Sequence, residues 1–453
     1  MFRIFKSVSI VLCAFFVFTL STNAQQADSL SDTLRLGLSD AISQALQKNL
    51  TRQNNDLDVL YARKQVNILT ANGLPQVNAN VNYQRFLQLP ISLVPAEFFG
   101  GTPGEFAEIA FGTNNTIAVN AQASQLLFSG SFFIALQAAK KLVEQAELQI
   151  EATENQIRDA IARTYFSALI IQENGVILQK NINVLAQVLT ETEAFYKAGF
   201  VENLDVDRLQ LQLSNLKTQQ TALKRQLESV YNLLKLQLVM DLNQPIALTQ
   251  NLRDFIDPND LTRQIDTIAF NNRIELKQLN MSDNLNELGI KQLYATRLPT
   301  VSAFLSYERR FQSNDFDVFS DKWFPTAVTG LQVSVPIFDG LSRKNQIAQR
   351  FINKKKIQNG RTQLLNSFDL EVAQARIAYQ NALEQLKSQE ANIALAQKIY
   401  NVSLTKYKEG VGSSLELTDA ESKLFQNQGL YSQALYNLLL AQTDLRKAMG
   451  LYY

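Results

Sequence analysis

Residues 206–237, VDRLQLQLSNLKTQQTALKRQLESVYNLLKLQ, carry the pattern that decides the fold. Apolar residues recur in this stretch at heptad spacing, and only Gln220 and Gln237 interrupt the two core positions. A seam of this kind predicts a helix that packs in a coiled coil. The apolar members of the seam are Val206, Leu209, Leu213, Leu216, Leu223, Leu227, Val230 and Leu234.

Similar heptads occupy three further stretches, at 157–196, 365–407 and 414–449. The predicted helices are long, because the sequence has only 17 Gly and 9 Pro to interrupt them. The helix predicted at 131–198 would extend roughly 100 Å at about 1.5 Å per residue, which is typical of a rod or a tube wall. The predicted helices span about 36–72, 131–198, 203–243, 267–297, 341–409 and 414–449.

Four segments alternate apolar and polar side chains, at about 77–87, 116–128, 300–311 and 327–338. About ten residues is the length that a tilted strand needs to cross a bilayer. Alternation alone fits a soluble sheet with one face on a core at least as well. Aromatic residues between paired strands favour loops or girdles at a membrane boundary. They are Phe98, Phe99, Phe106, Phe111, Phe316, Phe319, Trp323 and Phe324.

Four strands are too few to close a membrane barrel, and an open sheet edge leaves backbone groups unpaired in lipid. If the strands span a membrane, several chains must therefore share one barrel. Two chains would give eight strands, and three would give twelve.

Four short motifs occur twice along the chain, in the same order. This predicts a two-fold internal repeat, residues 25–250 and 251–453, each with a helix, two strands, a long helix, a tip and a helix. The motif pairs are LPQV 74–77 with LPTV 298–301, LFSG 127–130 with IFDG 337–340, YKAG 196–199 with YKEG 407–410, and YNLL 231–234 with YNLL 436–439.

Residues 1–24 read as a signal peptide, with Arg3 and Lys6 before an apolar run and a small residue, Ala24, at the expected cleavage site. Cys13 lies inside the apolar run, so we expect no lipid anchor. It is the single cysteine, and the sequence has no histidine. The mature chain would therefore lack a Cys/His zinc site, a cysteine nucleophile and a histidine triad.

The sequence has 43 basic and 42 acidic residues, and two of the basic ones lie in the predicted signal peptide. The mature chain would thus have a net charge of −1, which gives no indication of a nucleic-acid partner. We expect no metal and no cofactor.

Together these motifs resemble the outer membrane efflux protein family, the TolC-like channels, over nearly all of the mature chain. The most specific parts are the two LPxV motifs, VPIFDG at 335–340, and YKEG at 407–410 followed by Leu415 and Glu416. The resemblance implies a mostly α-helical chain whose four strands close a twelve-stranded barrel in a homotrimer. It also implies a long coiled-coil tunnel through the periplasm of a Gram-negative bacterium.

The same resemblance implies a passive export duct in a tripartite efflux or type I secretion system, and not an enzyme. The partners would be outer-membrane lipid, a periplasmic adaptor (membrane fusion protein) and an inner-membrane pump. The duct would be gated at its periplasmic tip.

The resemblance puts three acids near the tunnel mouth: Asp205, Glu416 and Asp419. In a trimer they would form rings of carboxylates, which attract cations. The alternative is that Ser413 and Glu416 form a capping box, and that Asp205 and Asp419 only complement helix dipoles. Both interpretations stay open.

Two tyrosines and two glycines complete the candidate site. Tyr196 and Tyr407 would bond across the tips, as tip tyrosines do in the family, or pack on the helix seam. Gly199 and Gly410 are predicted helix C-caps. Some relatives latch the mouth with a basic residue just after the tip glycine, whereas residues 411–414 contain none, so other hydrogen bonds would have to do this.

Two other classes of function remain. The heptads also suit a periplasmic coiled-coil scaffold with a small sheet. A hydrolase would need paired carboxylates, with Glu416 and Asp419 or Asp205 and Asp207 as the candidates, but no other catalytic group accompanies them.

Overall fold

The computed structural model describes residues 33–256, 269–315 and 322–451, and these are mostly helical with some strands. The predicted signal peptide, together with Phe316 and Phe319, lies outside the described residues. No helix within the described ranges combines the length and the apolar character needed to cross a membrane.

The described part of the first half holds ten α-helices and β-strands, besides the 3-10 helix Ala96–Phe99. In order they are β1 (Leu34–Leu36), α1 (Leu38–Lys48), α2 (Leu50–Ala71), β2 (Gln76–Arg85), β3 (Ile91–Pro95), β4 (Phe106–Ala110), β5 (Asn115–Ser129), α3 (Gly130–Lys197), α4 (Asn203–Gln237) and β6 (Ile246–Leu248). The second half has α5 (Ile274–Ala295), β7 (Thr300–Ser313), β8 (Trp323–Ser334), α6 (Ser342–Lys408) and α7 (Ser414–Ala448).

The helices form two long hairpins. α3 has 68 residues and α6 has 67, so each extends roughly 100 Å. α4 packs back along α3, and α7 packs back along α6. The shorter α2 and α5 both lie against α3, and α5 also lies against α6. The long helices thus give the chain its rod-like part, and the turns at their ends form the tips.

The helix expected at 36–72 is two helices in the structure, α1 and α2. Asn49 lies between them with φ −61° and ψ 122°, outside the helical region. Its side chain accepts hydrogen bonds from the backbone N–H groups of Thr51 and Arg52, at 2.9 and 3.1 Å. These bonds satisfy two backbone N–H groups in the first turn of α2 and therefore stabilise the start of a new helix at this point.

Four strands form one antiparallel sheet in the order β2–β5–β7–β8. Val81 pairs with Val119, Ala121 with Tyr307, and Ala303 with Leu331, so the odd-numbered residues of all four strands share one face. That face is apolar and exposed in the single chain. Its large exposed members are Val77, Val81, Tyr83, Val119, Leu305, Tyr307, Leu331 and Val333.

Strand β8 is shifted from the predicted 327–338. Trp323 and Phe324 lie inside the strand, and the ring of Trp323 is 5.7 Å from that of its neighbour Phe311. Residues 335–338 lie beyond its end, where Pro336 has no N–H to give to a sheet.

The segment between β2 and β5 contains a small sheet of its own. β3 and β4 pair antiparallel, with Ile91 opposite Ala110. Gly100 and Gly104 lie between them with φ of +78° and +92°, where other residues would be strained. This hairpin was not expected from the sequence, and it carries the exposed Phe98 and Phe99.

Buried apolar side chains form two clusters along the helices. The larger lies around the middle of α3, where β1 and β6 pair in parallel. The second, here called the tip cluster, joins α3, α4, α6 and α7 toward the ends of the hairpins. Its members are Leu178, Ile182, Leu185, Val188, Leu209, Leu213, Leu216, Ala396, Tyr400, Tyr407, Leu417, Ala420 and Leu424.

Candidate functional site

The first tip is the turn between α3 and α4. Gly199 has φ +80°, and its N–H donates to Tyr196 O at 3.0 Å. The N–H of Phe200 donates to Phe195 O at 2.9 Å. These two bonds close the end of α3 in the way that a left-handed glycine permits.

The second tip, between α6 and α7, is built in the same way. Gly410 has φ +74°, and the next residue, Val411, donates its N–H to Lys406 O at 3.0 Å. α7 then begins at Ser414, because the side chain of Ser413 accepts the N–H of Glu416 at 3.2 Å.

The two tips are joined by a buried hydrogen bond between Tyr407 on α6 and Thr192 on α3. The two hydroxyl oxygens are 2.8 Å apart, and the side chains are 7% and 0% exposed. Since the Thr192 hydroxyl donates to Val188 O at 2.8 Å, the Tyr407 hydroxyl is the donor in the bond between them. Burial raises the pKa of Tyr407, the bond to Thr192 lowers it, and Asp205 raises it, so the phenol keeps its proton at neutral pH.

A second bond joins the tips through Asp205 on α4. The Ser414 hydroxyl donates to Oδ1 of Asp205, and Ser414 is almost fully buried. The guanidinium of Arg208, one turn along α4, lies 3.8 Å from the same oxygen. A hydrogen bond to a charged acceptor is stronger than one between neutral groups, so this contact adds to the cohesion of the tips.

Three lysines form ion pairs at the tips. Lys408 of α6 contacts Glu191 of α3 at 3.0 Å, and so crosses between the hairpins. Lys406 lies 3.4 Å from Glu416, and Lys423 lies 2.7 Å from Asp419. Exposed pairs of this type contribute at most about 1 kcal/mol each.

The structure brings some of the predicted tip residues together and separates others. Tyr407 and Asp205 take part in the bonds between the two hairpins. Glu416 and Asp419 lie on the exposed side, each beside a lysine. Tyr196 is 44% exposed, and its backbone carbonyl caps α3.

The predicted capping box is half present. Ser413 caps α7, whereas the carboxylate of Glu416 accepts a bond from Lys406 at 3.4 Å. Among the described hydrogen bonds, none runs from the backbone N–H of Ser413 back to Glu416. The Glu416 carboxylate therefore faces the solvent side of the tip rather than the helix end.

Sequence reasoning missed Thr192, Ser414, Lys406, Lys408 and Glu191. The partners in the two buried bonds are 215 and 209 positions apart, so no local pattern links them. Some relatives have a basic residue just after the tip glycine, whereas here the basic residues Lys406 and Lys408 lie before Gly410. Lys408 lies inside the YKEG motif at 407–410 and Lys406 directly precedes it, so the motif itself was the available signal.

The described residues contain no group of acids placed to hold a metal ion. In the other acid pair considered for catalysis, Asp205 and Asp207, the Asp207 carboxylate accepts a hydrogen bond from the Asn203 side chain at 2.9 Å.

Comparison with known proteins points to one group. Residues 268–451 match the family described as "Outer membrane efflux protein". The chain is 20% identical over 337 residues to outer membrane protein TolC of Vibrio cholerae, covering 72% of this chain and 75% of that protein. It is also 20% identical over 429 residues to nodulation protein T of Rhizobium leguminosarum bv. trifolii, covering 92% and 86%.

Solved structures share the fold. CusC matches with a TM-score of 0.70 and 18% identity over 91% of this chain and 92% of that one. The open state of Neisseria gonorrhoeae MtrE gives 0.69 and 17%, over 92% and 89%. VceC of Vibrio cholerae gives 0.66 and 15%, over 91% and 96%. At these identities the likeness is one of fold, and it confirms the mostly helical architecture with a strand part.

Proposed function

We propose that this chain, whose residues 268–451 match the outer membrane efflux protein family, is an outer-membrane export channel. It serves as the passive duct of a tripartite efflux or type I secretion system in a Gram-negative bacterium. Its partners are a periplasmic adaptor and an inner-membrane pump, which supply the energy. The chain itself performs no reaction and needs no cofactor.

The observation that carries the proposal is the exposed apolar face of the four-stranded sheet. Val77 is 73% exposed and Leu331 is 68% exposed. A sheet packed on a soluble core would bury these side chains, which favours lipid as their surroundings. On β2, the even-numbered face carries Asn78, Asn80 and Asn82, and these polar side chains suit a water-filled interior.

The edges of the same sheet support a homotrimer. β2 and β8 are the outer strands, so each has one side without a partner strand in the single chain. An unpaired strand edge in lipid costs several kcal/mol per backbone group. Pairing β8 of one copy with β2 of the next removes both edges, and three copies then share twelve strands.

The outer helices support the same assembly. α2 and α6 expose large apolar side chains, most of them three, four or seven residues from the next, which is the pattern of a seam without its partner. The exposed members are Leu50, Leu57, Tyr61 and Ile68 on α2, and Leu370, Ile377, Leu395, Ile399 and Val402 on α6. Seams of this kind would meet between neighbouring copies.

The tips are the gate in this proposal. The bonds Tyr407–Thr192 and Ser414–Asp205 hold the two hairpins of one chain together. Opening requires these bonds to break as one hairpin moves against the other. Glu416 and Asp419 lie on the exposed side, where three copies would place six carboxylates around the mouth.

The repeated motifs support an origin of the chain by duplication, with one tip in each repeat. The first would comprise residues 25–250 and the second 251–453, after removal of a signal peptide at 1–24. Gly199 and Gly410 occupy equivalent places at the two tips, with φ of +80° and +74°.

The test is electron microscopy of the protein extracted with detergent from outer membranes, followed by conductance in planar bilayers. We expect a three-fold particle with a detergent belt, a tube roughly 100 Å long and ion-conducting pores. A monomer released from the cell envelope by salt alone would contradict the proposal. It would favour the periplasmic scaffold instead.

A further inference from the structure

One carboxyl group at the tips has no role in the contacts described so far. Glu421 lies on α7 next to Ala420 and only 6% of it is exposed. Its Oε2 atom is buried and has no hydrogen-bond partner among the described residues. Leu417 and Leu424, one turn to either side, belong to the tip cluster, so the carboxyl group lies in apolar surroundings.

Helices α3, α4 and α6 all pack against this part of α7. The bonds Gln212–Ser422, at 3.4 Å, and Asn181–Gln428, at 2.8 Å, fix α4 and α3 beside it. A change in the charge of Glu421 therefore acts where all four helices of the two hairpins meet.

The titratable group that faces Glu421 from α6 is Tyr400. Burial and, to a smaller extent, the charge of Glu421 together raise the pKa of Tyr400 to about 12, so this phenol stays neutral. The packed helices also carry exposed lysines: Lys180 on α3, Lys217 on α4 and Lys398 on α6. Within the described residues, none of them forms an ion pair with Glu421.

Several other charged groups of the tips are paired with one another. Arg208 contacts Asp205, Lys408 contacts Glu191 and Lys406 contacts Glu416. On α7 itself, Asp419 and Lys423 form an exposed pair. Among the described ion pairs, Glu421 is thus a buried acid without a compensating cation, and its neutral form is favoured.

Burial raises the pKa of Glu421 to about 7. An exposed glutamate titrates near 4.3, so the packed arrangement binds a proton that a loosened one releases at neutral pH. The stability that the neutral carboxyl gives is fully present below about pH 4 and declines as the pH rises. It is lost above about pH 7, where packing the tips means burying a bare charge.

We propose that Glu421 is a proton-dependent latch of the tips: its neutral carboxyl keeps α7 packed on α3, α4 and α6, and loss of the proton frees α7 to move. The inference rests on the proposed channel function and adds control by external pH to it. A channel built in this way opens less readily in acid medium than at neutral or alkaline pH. Three copies would make the response steeper.

The test compares the wild-type channel with Glu421→Gln in planar bilayers between pH 5.5 and 8.5. Glutamine has the shape of the protonated acid and cannot ionise. We expect the open probability of the wild type to rise about thirtyfold over this range, because a carboxyl group with a pKa of about 7 when packed and about 4.3 when loosened shifts the opening equilibrium by about that factor. The variant should keep its low value at every pH.

The matched control is Glu193→Gln. Glu193 is an exposed residue of α3 near the same tip, so this variant makes the same chemical change in water. It should keep the pH dependence of the wild type. If Glu421→Gln also keeps that dependence, the latch does not exist.

A second measurement does not depend on conduction. The thermal midpoint of unfolding of Glu421→Gln should equal that of the wild type at pH 5 and exceed it at pH 8.5. Equal midpoints at both pH values would overturn the inference even if the channel conducts. A wild type that conducts no ions would instead count against the proposed function, whatever the midpoints show.

Discussion

The hydroxyl oxygens of Thr192 and Tyr407 are 2.8 Å apart in a buried site, and they join two helix hairpins across 215 positions of sequence. The Ser414–Asp205 bond is a second polar contact that holds the tips together. Both are side-chain bonds between hairpins that also meet through apolar packing and through the exposed Lys408–Glu191 pair. Removing one therefore weakens the contact between the hairpins while leaving each helix intact.

Tyr407→Phe should increase opening of the channel. The variant loses the phenol but keeps the ring in the tip cluster, and Thr192 retains its bond to Val188 O. A hydrogen bond of this type contributes about 1 kcal/mol, which corresponds to roughly a fivefold change in an equilibrium. We expect the open probability in bilayers to rise by about this factor. Tyr196→Phe is the control, because Tyr196 is largely exposed; an equal effect of both changes would refute the role of the bond.

Asp205 and Ser414 should show energetic coupling in a double-mutant cycle of Asp205→Asn and Ser414→Ala. Each single variant removes the same contact, so the double variant should loosen the tips by about 1–2 kcal/mol less than the sum of the two. The open probability of the four proteins gives the coupling. Asp207→Asn is the control, because Asp207 bonds only to Asn203 within α4 among the described contacts. Strict additivity of the first pair would contradict the structure.

The parts of the fold that follow from local patterns could be predicted from the sequence. The heptads of α3 predict a helix over 131–198, and the helix runs from Gly130 to Lys197. The odd-numbered apolar residues predict a strand face, since side-chain direction in a strand depends only on position. The break at Asn49 was missed, because an asparagine inside an amphipathic stretch is a cap only if the chain turns there.

Contacts between distant segments could not be predicted. Nothing near Tyr407 in the sequence points to Thr192, and nothing near Asp205 points to Ser414. Glu421 follows the seam residue Ala420 directly, where a polar side chain usually faces water. Its burial depends on α3, α4 and α6 together, so only the assembled tips reveal it.

The lysines of the tips should limit the cation preference of the pore. Lys406 and Lys423 lie beside Glu416 and Asp419 and offset their charges. Replacing both lysines with Gln should raise the ratio of cation to anion permeability, whereas Glu416→Gln with Asp419→Asn should lower it. Reversal potentials in asymmetric salt measure this ratio. If neither pair of changes moves the reversal potential, these acids do not line the conducting path.

Leu331→Lys should reduce assembly in the outer membrane. Leu331 lies on the apolar face of β8, and placing Lys in lipid costs up to about 2–4 kcal/mol in a membrane strand. The neighbouring Gln332→Lys puts the same side chain on the opposite face, where water is expected, and should be tolerated. The yield of trimer in the outer-membrane fraction compares them. Equal yields would indicate that the odd-numbered face does not meet lipid.

Gly410→Ala and Gly360→Ala should have opposite effects on stability. Gly410 has φ +74°, where a Cβ costs about 1–2 kcal/mol, although no atom lies within 4 Å of the added carbon. Gly360 lies inside α6, also with free space around it, and alanine is favoured there by about 1 kcal/mol. Hydrogen exchange of the backbone amides should therefore become faster around residues 405–412 in the first variant and slower around residue 360 in the second. Both glycines have free space for an added Cβ, and they differ in their φ angle. Slower exchange in both variants would therefore mean that the left-handed turn is not required at the tip.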